Sequence, residues 1–288
     1  MKKVLGLIMA IVMIMGCVFA LTACNDTAEP VVKVIDVDLS NEQYAFAVKK
    51  GNTELLNSVN AFFEAKKDEI AAIFDKYTAK DAALDTFGKD TIKTEPTGAA
   101  NELVVATNLD FSPFEYLNGN KIAGIDMEIA ELLATYLNKE LVIVNMDFNA
   151  VVTSVETLDT YDIGIAGLTI TDERKEQVDF SVPYFGATQA IVTKIDDTTF
   201  DGLDTAEKVE AKLKELTGDA AKCGGQSGTT SQYYIQGNAD MELEGFENLT
   251  FSHYKSAALA IKDMLNGKIA FVVVDKTTAG ALVNSFNK

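Results

Sequence analysis

Tryptophan is absent from this 288-residue chain, histidine occurs once, cysteine three times and proline four times. So little cysteine excludes a disulfide framework and a metal-type pair of thiolates. With His253 as the single imidazole, no group of histidine, cysteine and carboxylate has metal-ligand spacing. No serine–acid arrangement accompanies that histidine, so we read it as structural rather than catalytic. Positive charge is also scarce: 25 Lys and Arg stand against 43 Asp and Glu, a formal net charge of −18. Such acidity excludes nucleic acid as a partner, because affinity for it comes from neutralising phosphates. There is no solenoid repeat and no low-complexity tract, and no motif calls for a cofactor or a metal. A 48% hydrophobic content at this length suits an ordinary globular protein of one or two domains.

Only one long apolar run is present, Val4 to Ala20, preceded by Lys2 and Lys3. It is short for a membrane-spanning helix. Leu21-Thr22-Ala23-Cys24 follows it, a small-residue cleavage pattern with a cysteine directly after. That arrangement resembles the lipobox of bacterial lipoproteins, which implies removal of residues 1–23 as a signal peptide and diacylation of Cys24. Losing two lysines and no acids would take the net charge to −20. Residues 24–30 would then be a lipidated tether holding the chain at the outer face of the cell membrane. Cys223 would stand alone.

From residue 31 the pattern is mixed α and β. Val31–Asp38 alternates like a strand and Gln43–Val48 reads as a second. Asn52 or Thr53 can cap a long helix whose apolar positions Leu55, Leu56, Val59, Phe62 and Phe63 keep helical spacing. The stripe resumes at Ile70, Ile73, Phe74 and Tyr77 after a charged break. Residues 78–101 lose the pattern and read as a linker with one loose turn near Ala82–Leu84. Strands then alternate with helices: strand Glu102–Thr107, a helix capped by Asp126, strand Leu141–Asn145, helix Asn149–Leu158 and strand Tyr161–Ala166. Past Pro183 come strand Gln189–Thr193, helix Asp204–Leu216, a strand near Ala220–Cys223, a glycine-rich turn into a helix, and strand Leu249–Ser252. Helix Ser256–Asn266, strand Ile269–Val274 and helix Thr277–Phe286 close the chain. Such alternation predicts mainly parallel sheets covered on both faces.

Three stretches carry chemistry. At Ala166-Gly167 a strand breaks into a threonine-rich turn that restarts as a short polar helix near Asp172. Gly167 admits close approach of a ligand to the backbone. Thr169 and Thr171 bring hydroxyls, and Arg174 brings a rigid fork of donors matched to a carboxylate. The plainer reading is a connection with Asp172 as cap and Arg174 in water. Gly224 to Ser231 is a second glycine- and hydroxyl-rich turn at a helix start, suited to an anion. It has neither phosphate-loop ending nor dinucleotide fingerprint, and it also reads as an ordinary loop. Asp275 follows three valines at a strand's carboxyl end, where open α/β sheets place ligand groups. It could receive an ammonium, or simply cap the helix behind it. Asn108, Phe111 and Phe148 follow strand ends too.

Taken together, ATNLDFSPFEY (106–116), AGLTITDER (166–174), VDFSVPYF (178–185) and QSGTTS (226–231) resemble the extracellular solute-binding proteins of polar amino-acid ABC importers, glutamine-binding types most closely. The resemblance implies a type II two-lobed α/β fold with two hinge strands, and a non-enzymatic monomer. Such a protein takes a polar L-amino acid from its surroundings and passes it to the membrane permease of an importer. It further implies that Arg174 holds the ligand α-carboxylate, helped by the backbone of Thr169 and Thr230. Asp275, the Gly167 carbonyl and the Thr169 hydroxyl would take the α-ammonium. Phe111 and Phe148 would sandwich the side chain above Ala166-Gly167, with Asn108 and Gln226 at its far end. Asn108 favours an uncharged side chain, while Asp110 and Glu115 keep arginine and lysine open. Dehydratases that resemble this fold are an alternative, as is a sensor for a separate receptor. An enzyme would need an acid or base at the side-chain end, where only Asn108 and Gln226 are expected.

The order of segments departs from the family. The block matching Gln43–Tyr77 belongs at the family's C-terminal end, yet here it comes first. The resemblance therefore implies a circular permutation, with residues 78–101 joining the family's old ends. Lobe one would be 48–183, lobe two 31–43 plus 188–288, and the hinge strands would lie near 43–48 and 184–188. Exchange of that block between two copies of the chain is the alternative.

Overall fold

The computed structural model describes residues 29–79 and 82–288, so the signal segment, Cys24 and most of the tether lie outside the described residues. Strand β1 (Val32–Ile35) leads to β2 (Glu42–Tyr44) and β3 (Ala47–Lys49). The single strand expected over 43–48 is thus two, interrupted at Ala45-Phe46. Ala45 N–H donates to Leu168 O, and Phe46 N–H donates to Ser181 Oγ, so the strand changes partners there. Helix α1 (Thr53–Ala65) is capped by Asn52, whose Oδ1 accepts from Leu55 N–H at 3.2 Å. The chain kinks at Lys66 into α2 (Lys67–Thr78).

Residues 82–101, read from sequence as a linker with one turn near Ala82–Leu84, pack against lobe one. They hold one short helical turn at Leu84–Thr86 and dock on the sheet and helices that follow. Lys89 and Ile122 exchange both backbone hydrogen bonds at 2.9 Å. Glu102, buried, accepts from Lys93 Nζ, Thr97 N–H, Thr97 Oγ1 and Gly98 N–H.

Next come β4 (Glu102–Thr107) and the three-stranded β5 (Asp110–Phe111), β6 (Glu115–Asn118) and β7 (Lys121–Ala123). The sequence reading missed this small sheet because its strands are too short to show alternation. Then follow α3 (Ile125–Tyr136), β8 (Glu140–Asn145), α4 (Phe148–Thr157), β9 (Ile163–Gly164), α5 (Asp172–Gln177), β10 (Val178–Phe180) and β11 (Phe185–Ala187). The remaining elements are β12 (Gln189–Lys194), α6 (Ala206–Glu215), β13 (Lys222–Gln226), α7 (Thr230–Gln236), β14 (Thr250–Tyr254), α8 (Ala257–Leu265), β15 (Phe271–Asp275) and α9 (Lys276–Phe286).

Two five-stranded sheets organise two lobes. In lobe one the order is β10-β3-β9-β4-β8, with β4 parallel to both neighbours and β3 antiparallel to both of its own. In lobe two the order is β1-β12-β15-β13-β14, with β13 parallel to both neighbours and β12 antiparallel to both of its own. Both sheets are therefore mixed, parallel at one end only. Each is covered on both faces. In lobe one, Val59, Phe62, Ile70 and Tyr77 of α1 and α2 join α3 on one side, while α4 covers the other. Separate core clusters cover the two faces of lobe two. Between the lobes β2 and β11 pair antiparallel, Tyr44 opposite Phe185 and Glu42 opposite Ala187. No helix among the described residues is long and apolar enough to cross a membrane.

Candidate functional site

The parallel strands β4, β9, β13 and β15 point their carboxyl ends into the space between the lobes, where the ends of open α/β sheets gather ligand groups. There a cavity of about 20 Å³ is lined by Phe111, Phe148, Ala166, Gly167, Thr169 and Arg174 from lobe one. Gln189, Gln226, Thr229, Thr230, Ser231, Val274 and Asp275 line it from lobe two, and Tyr44 from β2. Of the site residues singled out from sequence, Phe111, Phe148, Ala166, Gly167, Thr169, Arg174, Gln226, Thr230 and Asp275 line this cavity, whereas Asn108 and Thr171 do not. Asn108 stands behind it, its Oδ1 accepting from Gln226 Nε2 at 2.8 Å, a hydrogen bond that crosses between lobes.

Arg174 is held in place by its own helix. Thr171 caps α5, with its Oγ1 accepting from Arg174 N–H at 3.1 Å, so the cap is Thr171 and not Asp172. The guanidinium is buried, not solvated. Nη1 donates to Thr169 O at 2.8 Å, and Nη2 reaches across to Gly228 O at 3.1 Å. The Phe148 ring lies 5.5 Å from the guanidinium carbon. Burial lowers the arginine's affinity for its proton, yet no carboxylate pairs with it among the described residues. A desolvated fork with carbonyl partners only is an acceptor-seeking site, suited to a carboxylate.

Across the cavity, Asp275 caps α9 by accepting from Thr277 N–H at 3.1 Å, as the plainer reading expected. Its second oxygen accepts from Tyr44 Oη at 2.6 Å and faces the cavity. Burial pushes its carboxyl up to about 7, with Glu42 nearby adding repulsion and the Tyr44 hydroxyl working against both. It serves as a cap and as a buried acid at once.

Gly167 adopts φ +53°, and a Cβ there would meet Phe111 Cε1 at 2.9 Å. The glycine thus lets the Phe111 ring lie on the turn. Its N–H donates to Asp126 Oδ2 at 2.9 Å, and Tyr184 Oη donates to Asp126 Oδ1 at 2.7 Å. Asp126 therefore does not cap α3 as expected from sequence; it is fully buried and ties the turn to the segment before β11. Glu115 lies beside Asp126 in this same interior, where burial and the neighbouring acid push its carboxyl well above the usual range. It does not face the cavity, so the expectation that Glu115 could serve a cationic ligand is corrected; Asp110 lies outside the cavity lining too.

The glycine-rich turn begins later than predicted. Gly224 and Gly225 belong to β13, where a Cβ on Gly224 would meet Tyr254 at 2.6 Å and Ser252 O at 2.9 Å. The turn proper runs from Ser227 to Thr229, and Thr230 opens α7. Glu42, Tyr44 and Gln189 are site residues that the sequence did not disclose. Glu42 and Tyr44 share one face of β2, but an acid in a short strand reads by default as solvent-facing.

A sequence model of bacterial extracellular solute-binding proteins, family 3, matches residues 103–287. The arginine-binding extracellular protein ArtP of Bacillus subtilis is 37% identical over 118 residues, 40% of this chain and 46% of that one, so the match spans under half of that relative. Among solved structures, holo ArgBP from T. maritima is 32% identical with a TM-score of 0.53, covering 64% of this chain and 74% of its own. An ancestral arginine-binding protein bound to glutamine is 30% identical with a TM-score of 0.54, covering 65% and 75%.

Proposed function

The chain belongs to the bacterial extracellular solute-binding proteins, family 3, and from that premise we propose that it captures a polar L-amino acid between its lobes and delivers it to the permease of an ABC importer. The observation that carries this reading is the opposition of Arg174 and Asp275 across one cavity, each buried, one from each lobe. A zwitterion needs one anion site and one cation site, and partners drawn from both lobes make binding and lobe closure one event. Phe111 and Phe148 flank the space where a side chain would lie, and Asn108 with Gln226 offers amide groups beyond it.

The ligand we expect first is arginine, with glutamine second. The relatives above are named for arginine, and one neighbour holds glutamine. Lipidation of Cys24, and with it a location at the extracellular face of the cell membrane, is part of this proposal on the strength of the lipobox pattern. The chain order is part of it too: α1 and α2 complete the core of the lobe built by 102–183, yet they lie outside the stretch that the family model matches. Circular permutation accounts for both facts.

A melting-temperature screen of ligand-stripped protein against the common amino acids tests the reading. One or a few should raise Tm; a ligand at about 100 times its Kd adds about 2.7 kcal/mol. A flat response to all of them would sink it.

A further inference from the structure

Glu42 carries no role in the amino-acid site as the family resemblance implies it, yet it is the most fully engaged acid there. It is 3% exposed, and each carboxylate oxygen takes two protein donors. Oε1 accepts from Ser40 Oγ at 2.6 Å and Gln189 Nε2 at 3.0 Å. Oε2 accepts from Thr169 Oγ1 at 2.8 Å and Thr230 Oγ1 at 2.7 Å. Thr169 sits on the turn after β9 in lobe one, and Thr230 is the first residue of α7 in lobe two. Glu42 itself stands on β2, one of the two strands between the lobes. A single buried carboxylate thereby joins all three parts.

The same contacts fix which way the hydroxyls face. A threonine hydroxyl has one hydrogen to give and lone pairs with which to accept. Thr169 and Thr230 both give theirs to Glu42, and Thr230 also accepts from Gln189 Nε2 at 3.0 Å. Towards a ligand, these hydroxyls can then only accept. They suit an ammonium and leave a carboxylate to Arg174 and backbone N–H groups.

We propose that Glu42 is a positioning residue with two effects. It bridges the lobes through charge-assisted hydrogen bonds, favouring the closed arrangement, and it sets the hydroxyls as acceptors so that an α-amino acid enters in one orientation. The second effect rests on the amino-acid reading of the site; the first does not. Asp275 lies close enough to feel the Glu42 charge, so the Tyr44–Asp275 hydrogen bond belongs to the same acidic wall.

Two measurements test it. Small-angle X-ray scattering on ligand-stripped protein needs no ligand at all. Glu42→Ala should enlarge the radius of gyration relative to the parent, and the isosteric Glu42→Gln should fall between. Thr230→Val, which removes one donor and no charge, should also expand the molecule, and it serves if Glu42→Ala fails to fold. Identical scattering from the parent, Glu42→Gln and Thr230→Val overturns the bridge. Titration calorimetry with L-arginine and its des-amino analogue, 5-guanidinopentanoate, reads the orientation. The parent should prefer L-arginine, and Glu42→Gln should narrow that preference by about tenfold or more, the loss of a hydrogen bond to a charged group. An unchanged preference overturns the orienting role. If the parent binds neither probe, the arginine assignment fails, the same comparison is made with L-glutamine and its des-amino analogue, and the scattering result still decides the bridge.

Discussion

Arg174 and Asp275 divide the labour of the site, and each makes a separate prediction. Replacing Arg174 by Lys leaves a point charge where a planar fork had two carbonyls and a ligand carboxylate to serve. Affinity should fall by on the order of 2–5 kcal/mol, by analogy with buried interfacial charge pairs, while the fold persists. Calorimetry finding an affinity within about threefold of the parent, under 1 kcal/mol, would remove Arg174 from the site. Asp275 predicts a pH dependence. Its carboxyl titrates at about 7 in the folded protein, above the ordinary 3.8, because burial penalises its charge. The group therefore supports the ligand-free fold most at acid pH, and that support is lost as pH rises from about 4 through 7. Asp126, raised by burial to about 6, acts in the same direction. Ligand binding runs the other way, since an ammonium needs the charged form. Affinity should rise between about pH 5.5 and 8, by up to about tenfold per unit on the acid side. Asp275→Asn should bind weakly with a flat profile, and a profile as steep as the parent's would assign the proton elsewhere. Arg174 and Asp275 could be singled out in sequence because each sits at a strand-to-helix turn, although the cap that Asp275 also supplies gave it a plainer reading. Glu42 and Asp126 were not, since nothing in a local pattern tells a buried acid from a solvated one when most of its donors lie more than 40 residues away.

Elements with a long apolar stripe were read to within a residue or two. Helix α1 ends where its stripe ends, and β4 has the bounds its residues predict. The errors fall where packing overrides pattern. Strand β9 is two residues long although the sequence reads as a strand over Tyr161–Ala166, because its two neighbours β3 and β4 pair with it only at Ile163-Gly164. Strand β13 runs through Gly224-Gly225, which sequence assigns to a turn, because two neighbours press too closely for a Cβ. The turn after β9 gives the prediction at this scale. Gly167→Ala forces a side chain into φ +53° and onto Phe111. It should cost about 1–3 kcal/mol of stability and weaken ligand binding, because the ring and the turn both line the cavity. Unchanged Tm and affinity would show that the turn relaxes freely.

At the scale of the molecule the central feature is an order of segments. Val31 N–H donates to Asn287 Oδ1 at 2.8 Å, and Asn287 Nδ2 donates to Val32 O at 2.8 Å, so the first described strand starts beside the end of α9. A short linker could join them. A rearranged chain that begins at Ala82, so that the docked segment is kept, runs to Lys288, continues through such a linker to Val31 and ends at Thr78 should fold, bind the same ligand and elute as a monomer. Domain termini tolerate such rejoining when they lie together at the surface. Insoluble protein, or protein that has lost binding, would contradict the permutation; an obligate dimer of the parent in dilute solution would point to exchange of the block between copies. The two-lobed fold followed from the family resemblance of the motifs, while βα alternation alone gave mainly parallel sheets; the antiparallel edges of both sheets come from strands brought together across the whole chain. The claim on which the rest depends is that one amino acid spans the cleft between Arg174 and Asp275. A crystal structure grown with the amino acid giving the largest Tm shift tests it directly: the α-carboxylate should lie on the Arg174 fork and the α-ammonium on Asp275. A ligand seated elsewhere, or reversed between those two residues, would contradict it.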